Sequence, residues 1–326
     1  MSYIESAKSY TGNTLEEIFF RPMLKADAIQ DLGIRMLYNM PLPTTIQLWS
    51  SPSDPLYQFD SDNSGWSGGS SSTKEQKVLD MTRIKAEMAF SAHDYFSLVF
   101  ENITSRSDVN FEDLTGTELE KAETELFRQA LQEAIRVTMW IGDGNRSKDY
   151  NSFMGFVTLA NNGVIDGEYT SNMFDATDIS SSGVYSIFDT LWNSSSEELK
   201  SLKSDGELAL FVSSDIYYSY EKYLETSGTE AAYSSIIDGR RELYFRGIPV
   251  VDIRVGKYKA YTSNSSSFAM LVDKRNMVVA FNTADLPSAE VRMWYNPDEM
   301  ENRQRAVFMI GCDFIDSNLL TVARFL

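Results

Sequence analysis

The chain has 326 residues, of which 43% are hydrophobic and 13% aromatic, enough for a sizeable core in one large domain or two smaller ones. Its 29 Lys and Arg against 47 Asp and Glu give a net charge of −18, which excludes general nucleic-acid binding outside a local basic patch. A single cysteine, Cys312, and a single histidine, His93, exclude an internal disulfide and a zinc site of cysteine and histidine within one chain.

Residues 1–43 are predicted to form an arm with short helical pieces at 15–20 and 26–38, where apolar residues recur at helical spacing. The arm has too few apolar residues for a core of its own, so we expect it to lie on the body or on a neighbouring copy. The N-terminus lacks a secretory signal, and no stretch reaches the roughly 18 apolar residues of a membrane span. We therefore expect a protein that is made in the cytoplasm and spans no membrane.

Residues 44–90 are predicted to form a long hairpin, because apolar and polar residues alternate at 45–49 and again at 84–90. The tip between these strands, 50–73, is rich in Ser, Gly and Asp and is too polar to pack. A loop of this length is expected to be functional, disordered or ordered only by a partner. Lys74 and Lys77 are expected near this tip.

One long spine helix is predicted at 115–141. Thr115 with Glu118 and Thr117 with Glu120 offer two capping-box registers, and apolar residues recur at steps of three and four: Leu119, Ala122, Leu126, Ala130, Ala134, Ile135 and Met139. Gly142 is expected to end the helix with a positive φ. The turn 142–145, Gly-Asp-Gly-Asn, closes a helix and lacks the Lys and Ser/Thr of a phosphate loop, so we interpret it as structural.

The second half of the chain has an α/β pattern. The apolar segment 153–160 is followed by a polar stretch, 161–183, that is predicted to be mostly loop. Helices are predicted at 185–192, 197–202 and 215–224, and strands at 208–212, 242–245, 250–253, 291–295, 305–312 and 319–325. A hairpin is predicted from 268–272 and 277–281. The basic pairs Arg240–Arg241 and Lys274–Arg275 are expected in turns.

Three further residue sets invite functional interpretations. The helix at 215–224 carries four tyrosines, which suit either carbohydrate stacking or a division between core and surface: Tyr217, Tyr218, Tyr220 and Tyr223. Four tyrosines on so short a helix cannot share one face, which favours the division. Cys312 is predicted to be a small buried residue in a strand, and His93 a structural histidine; together they are the chain's one possible cysteine–histidine catalytic pair.

Three segments in this order resemble the major capsid protein of tailed bacteriophages, whose fold is shared with encapsulins and the floor of herpesvirus capsids. They are the helix end WIGDGN followed by FMGFVTL, the strand and helix LALFVSSDIYYSYEKYLETSG, and the strands ELYFRGIPVVDIRV. The resemblance covers most of residues 84–326. The sequence shows no long charged coiled-coil segment before the arm, so the fused scaffold that some members of the family carry is not expected.

The resemblance implies an α+β fold and a division of the chain into an N-terminal arm (1–43), an extended hairpin loop (44–80), a peripheral domain (80–187 and 286–326) and an axial domain (188–285). It implies a structural protein that assembles into pentamers and hexamers of an icosahedral head shell. Separate scaffolding, portal and decoration proteins are expected partners, and DNA is expected to be enclosed without sequence-specific binding. No catalytic, cofactor-binding or metal-binding residues are expected, and the expected location is the virion, reached from the host cytoplasm.

Other functions remain open on the sequence alone. A cargo shell of the encapsulin type would use the same fold without a genome, and another phage structural protein, such as a minor capsid or tail component, is also compatible. Outside this class stands a glycoside hydrolase, which needs two suitably spaced carboxylates in a cleft. The 47 acidic residues supply many candidates, although no recognisable motif pairs them.

Overall fold

The computed structural model describes residues 8–10, 32–38, 44–50, 73–91, 118–147, 149–166, 173–227, 236–237, 240–261, 267–282, 290–296, 298–299 and 301–325. The α-helices in these ranges are α1 (Glu118–Ile141), α2 (Phe156–Asp166), α3 (Ser181–Ser194), α4 (Glu197–Ser201) and α5 (Ser214–Thr226). The strands are β1 (Lys8–Tyr10), β2 (Arg35–Tyr38), β3 (Thr44–Ser50), β4 (Thr73–Leu79), β5 (Thr82–Ser91), β6 (Met173–Ala176), β7 (Leu208–Val212), β8 (Ile236–Ile237), β9 (Arg240–Arg241), β10 (Leu243–Phe245), β11 (Ile248–Asp252), β12 (Ala269–Asp273), β13 (Met277–Asn282), β14 (Glu290–Asn296), β15 (Glu301–Phe314) and β16 (Leu320–Phe325). Together they confirm the predicted α+β class.

Sheet 1 has six strands and is organised around the long strand β15. Its order is β1-β14-β15-β13-β2, and β5 also pairs with β15. Residues Glu301 to Val307 of β15 pair with both β14 and β5, so these two strands lie on opposite edges of β15. The second half of β15 pairs with β13.

Sheet 2 also has six strands, in the order β10-β11-β7-β12-β16-β6. It is mixed, because β11 runs parallel to β7 and β6 parallel to β16, whereas the other pairs are antiparallel. Two separate two-stranded sheets are formed by β3 with β4 and by β8 with β9.

Sheet 2 is covered on both faces, which explains why β7 and β12 are buried along their whole length. In β7, Leu208 and Leu210 contact a core shared with α3 and α5. Ala209 and Phe211 point to the opposite face and contact a core shared with α1, α2 and sheet 1. A strand covered on both faces has a continuous run of apolar residues, and β7, with the sequence LALFV, has such a run.

The spine helix is confirmed as α1, and the first three residues of its predicted range, 115–117, lie outside the described residues. Its buried stripe is Phe127, Leu131 and Ile135, which pack on sheet 1. The predicted face is therefore partly wrong, because Leu126 is 48% exposed and Ala134 is also exposed. The true stripe lies one residue further along, where the larger Phe127 and Leu131 bury more apolar area.

Trp140, near the end of α1, joins the two halves of this core. Its ring is 1% exposed and lies 5.7 Å from the ring of Phe156 in α2 and 5.2 Å from that of Phe211 in β7. The helix ends at Gly142, as predicted, but that glycine does not have the expected positive φ. The reason for glycine is close packing: a Cβ there would lie 2.4 Å from the carbonyl oxygen of Phe153.

Several predicted elements differ in the structure. Residues 35–38, predicted as the end of a helix, form β2, because pairing with β13 buries them partly against the core. The stretch 161–183 is not mostly loop: it holds the second half of α2, strand β6 and the start of α3. Of the two basic pairs, Lys274–Arg275 lies in a turn as predicted, whereas Arg240–Arg241 is the strand β9.

The predicted hairpin of β12 with β13 is also wrong. The short turn Lys274–Asn276 carries the chain from sheet 2 to sheet 1, so that β12 pairs with β7 and β16, and β13 pairs with β15 and β2. The sheets consequently do not divide at residue 285, since β13 belongs to sheet 1 and β16 to sheet 2. The assignment of peripheral and axial domains stays a prediction.

Candidate assembly surface

The hairpin formed by β3 and β4 stands apart from the two large sheets. Thr44 lies opposite Leu79 and Ser50 opposite Thr73. The prediction that 84–90 supplies the second strand is wrong, because that stretch belongs to β5, whose alternate residues Ile84 and Met88 pack on the core beside β15. The predicted tip was 50–73; Ser50 and Thr73 belong to β3 and β4, and 51–72 lie outside the described residues.

The base of this hairpin is fixed to β15. Leu79 is 2% exposed, and Lys77 Nζ lies 2.5 Å from the carbonyl oxygen of Phe314 and 3.1 Å from the carboxylate of Asp313. Asp80, where the chain leaves the hairpin, packs closely against Gly311. A Cβ added to Gly311 would lie 2.1 Å from the carbonyl oxygen of Asp80. The sequence had suggested that Lys77 lies near the tip of the hairpin, but it lies at the base.

Apart from these contacts, the hairpin offers surface to a partner. Val78 is 48% exposed, and Thr45, Gln47 and Gln76 are exposed as well. A two-stranded ribbon is marginally stable by itself in water. Contacts with another molecule would therefore stabilise it, and its backbone edges can pair with a further strand.

Two segments of the predicted arm lie on the body of their own subunit. Strand β1 pairs with β14, and β2 pairs in parallel with β13. Ile34, just before β2, is 4% exposed and belongs to the main core. Of the two expected positions, body or neighbouring copy, the described parts of the arm take the first; the rest of residues 1–43, including 15–20, lies outside the described residues.

The turn after α1 is built to close the helix and offers little to a phosphate. Its backbone N–H groups already donate within the turn: Gly142 to the Thr138 carbonyl, Asp143 to the Tyr150 carbonyl, and Asn145 to the Asp143 carboxylate. A phosphate cradle needs such N–H groups to point at the ligand. The interpretation of 142–145 as structural is therefore supported by the hydrogen bonds.

Cys312 is a buried residue of β15, as predicted. Its Sγ donates to the carbonyl oxygen of Met154 at 2.8 Å, and burial raises the pKa of the thiol well above its ordinary value. Such a thiol stays protonated and is a poor nucleophile. His93 lies outside the described residues, and within the described ones no cluster of three or more His, Cys, Asp or Glu could hold a metal ion.

Glu133 on α1 has a strongly lowered pKa, and it forms a fixed ion pair. Hydrogen bonds from Arg136, at 2.8 Å, and from the Tyr258 hydroxyl, at 2.8 Å, lower its pKa to about 2. A glycosidase acid needs a raised pKa, so Glu133 cannot be that acid. Arg136 also donates to the carbonyl oxygen of Ile253, which ties α1 to the chain that follows β11.

The tyrosines of α5 divide between core and surface. Tyr220 is 3% exposed and donates to the carbonyl oxygen of Tyr244, whereas Tyr218 is 61% exposed. Tyr223 stacks on Tyr185 of α3, with ring centroids 4.9 Å apart. This is the predicted division, and it leaves no single tyrosine face for a sugar.

No protein-family model matches the chain, and no characterised protein matches it by sequence. Solved structures do match. One chain in the structure described as "Satellite phage P4 procapsid including size determination (Sid) protein" has a TM-score of 0.59 and 8% identity, covering 93% of this chain and 96% of that one. One from Gordonia phage Cozz has a TM-score of 0.52 and 11% identity, covering 93% and 88%. The chain therefore has the fold of tailed-phage capsid proteins, and the predicted resemblance is confirmed at the level of the fold.

No helix among the described residues has the length and hydrophobicity needed to cross a membrane.

One feature of the surface was not predicted from the sequence: two arginines on different strands lie side by side on sheet 1. Arg292 and Arg305 are placed opposite each other only by the pairing of β14 with β15. The one available signal was the alternation of charged with apolar residues in each strand.

Proposed function

We propose that the protein is the major capsid protein of a tailed bacteriophage and assembles with identical copies into an icosahedral head shell. The observation that carries the proposal is the fold, which this chain shares over 93% of its length with a chain of a phage procapsid structure. Pentamers and hexamers are the expected building units, because closed shells of one protein use these rings. The expected location is the virion, after synthesis in the host cytoplasm.

The hairpin gives this proposal a physical basis. It is fixed to β15 at Lys77 and Leu79 and exposes Gln47, Gln76 and Val78, so a neighbouring subunit can supply further contacts. Many weak contacts of this kind add up when each subunit is held by several neighbours. The proposal treats the chain as structural, without a catalytic role.

The same proposal includes the contents and partners of the shell. A net charge of −18 suits a wall that encloses DNA without binding it strongly or by sequence. Separate scaffolding, portal and decoration proteins would complete the particle, and the chain divides into the arm, hairpin, peripheral and axial parts given above.

Electron microscopy of the purified protein, with and without co-expression of the neighbouring genes, tests this function. Closed shells, or rings of five or six, are expected. Shells that hold a protein cargo and no nucleic acid would favour an encapsulin-like compartment. Tubes or tail-like assemblies would favour another phage structural protein, and a monomer that cleaves glycosides would overturn the proposal.

A further inference from the structure

The hairpin of β3 and β4 meets the body on the face of sheet 1 that lies away from the core. Side chains alternate along a strand, and Cys312 of β15 belongs to the core, so its neighbours Gly311 and Asp313 lie on the opposite face. Lys77 contacts Asp313 on this face, and the carbonyl oxygen of Asp80 packs against Gly311. Both contacts therefore hold the same end of the hairpin to one face of the sheet.

The two sides of the hairpin differ in what they contact. Residues directly opposite each other in an antiparallel pair share a side, so Ile46 lies beside Lys77 on one side, and Thr45 beside Val78 on the other. The side of Lys77 faces the body, because Leu79, two residues further along, is 2% exposed. The other side is open, with Val78 48% exposed and Thr45 also exposed. The direction of the hairpin therefore decides where this open side points.

Lys77 and Leu79 hold β4 at two points that are roughly 7 Å apart, since a strand rises about 3.4 Å per residue. Leu79 is held by apolar burial, which is non-directional. Lys77 is held by directional contacts: its Nζ donates to the carbonyl oxygen of Phe314 at 2.5 Å and lies 3.1 Å from the carboxylate of Asp313. Two fixed points set the direction of a strand, and loss of the second would let the hairpin swing about the first.

The contacts of Lys77 are better protected from water than those of a surface ion pair. The side chains of Lys77 and Asp313 are 33% and 21% exposed, compared with 59% and 52% for the pair of Lys85 and Glu87 on β5. Charge-assisted hydrogen bonds are strong, and partial burial reduces their screening by salt. The cost of taking both charges partly out of water offsets much of this gain, so we expect the pair to fix geometry more than it adds stability.

We propose that Lys77 is a positioning residue, which holds the hairpin in the direction that brings its open side against a second copy of this chain. The proposal rests on the proposed shell function and adds the residue that prepares the subunit for assembly. A hairpin already held in the binding direction loses less entropy on contact than one that swings. The affinity between copies falls in proportion to the fraction of subunits whose hairpin has that direction.

The test compares four full-length proteins: wild type, K77M, K77R and K85M. Methionine keeps an unbranched apolar side chain at position 77 but has no charge and no N–H donor, whereas arginine keeps both. Lys85 also lies in an ion pair, at 2.9 Å from Glu87, on an exposed part of β5. K85M therefore controls for the loss of one positive charge and one ion pair.

The direction of the hairpin is measured in isolated subunits, below the concentration at which shells form. Spin labels are attached to cysteines introduced at Gln76, on the open side of the hairpin, and at Ser186, an exposed residue of α3. The native Cys312 is buried, so the labels react with the introduced cysteines. Shell formation by the unlabelled proteins is followed by light scattering and electron microscopy over a range of concentrations, and their thermal unfolding is measured beside it.

We expect K77M to broaden the distribution of label distances and to raise the concentration needed for shell formation roughly tenfold. K77R and K85M should stay close to wild type in both measurements. The melting temperature of K77M should lie within about 4 °C of wild type. A residue that only supported folding would lower the melting temperature and leave the distances in the folded subunits unchanged.

Four outcomes would overturn the inference. If K77M subunits give distances as narrow as wild type, Lys77 does not set the direction of the hairpin, and the shell function stands. If the distances broaden but shells form at the wild-type concentration, that direction does not control assembly, and the shell function again stands. If K77M fails to fold, Lys77 supports the subunit itself. If wild type forms no assembly under any condition, this inference and the proposed function both fail.

Discussion

Asn276 is the residue that holds two crossings between the sheets together. Its side chain is 2% exposed, donates to the carbonyl oxygens of Asp316 and Leu319, and accepts from the Asp316 N–H at 2.7 Å. It thereby joins the turn between β12 and β13 to the turn between β15 and β16. A buried amide with several partners is costly to remove, because those partners are left unsatisfied.

We therefore expect Asn276→Ala to lower the free energy of unfolding by about 2–4 kcal/mol. Chemical denaturation of the isolated subunit measures this directly. Asn318→Ala, at an exposed position in the neighbouring turn, is the control and should change stability by less than about 1 kcal/mol. An Asn276→Ala protein as stable as wild type would show that the two crossings do not depend on this side chain.

Glu133 makes the stability of the subunit depend on pH in a defined window. Hydrogen bonds from Arg136 and Tyr258 lower its folded-state pKa from 4.5 to about 2. A lowered pKa means that the stabilisation is complete above the unfolded value and is lost as the pH falls through the folded value. The side chain is 43% exposed, so solvent screening reduces the effect.

We expect the stability difference between wild type and Glu133→Gln to be largest above pH 4.5 and to shrink as the pH falls towards 2. Denaturant titrations at a series of pH values measure it. Glu197→Gln is the matched control, because Glu197 forms the same kind of pair with Lys200 at an 89% exposed side chain. A difference that stays constant across this range would rule out the Glu133 pair as its source.

At the scale of elements, the hairpin is predicted to matter for assembly and little for the fold of the subunit. Gln47 and Gln76 lie opposite each other, so removing residues 48–75 and joining these two by Asn-Gly leaves a closed short hairpin. The base contacts of Lys77 and Leu79 remain. We expect stability to change by about 1 kcal/mol or less, because the described contacts that fix the hairpin to β15 are kept.

Shell formation by this shortened protein, followed by electron microscopy, should be lost. A shortened protein that still forms normal shells would show that the described hairpin strands make no essential contact. One that fails to fold would show that the hairpin belongs to the subunit core, contrary to the packing described here.

Elements with a strong local sequence pattern could be predicted. Elements that depend on pairing between strands far apart in the sequence could not. The spine helix, and β7 followed by α5, each have a regular pattern of apolar residues and a recognisable end. Such elements are determined mainly by interactions between residues close in the sequence. Strands β12 and β13 are both buried throughout and apolar except for their last residues, so nothing local shows that the three-residue turn between them joins two different sheets. Strand β2 is only four residues long, too short to distinguish helical from strand periodicity.

The same limit applies to the candidate assembly surface. The extended hairpin was predictable because its polar tip breaks an alternating pattern. Its second strand was misplaced, because β4 is a polar run without alternation whereas β5 alternates. The position of Arg292 opposite Arg305 could not be predicted, because it exists only when β14 and β15 pair in register.

At the scale of the whole molecule, one subunit combines a well-filled body with an incompletely covered hairpin. Sheet 2 is buried on both faces, and α1 covers the inner face of sheet 1, so the body is complete without a partner. The described parts of the arm also lie on this body. What a neighbouring copy would complete is therefore chiefly the hairpin.

Amide hydrogen exchange, compared between isolated subunits and purified shells, tests this account most directly. We predict that exchange in β3 and β4 slows at least about tenfold on assembly, because their exposed backbone becomes covered by another subunit. Strand β13, buried within the subunit, is the internal reference and should exchange slowly in both states. Equal exchange rates for β3 and β4 in subunits and shells would contradict the claim that identical copies complete this protein.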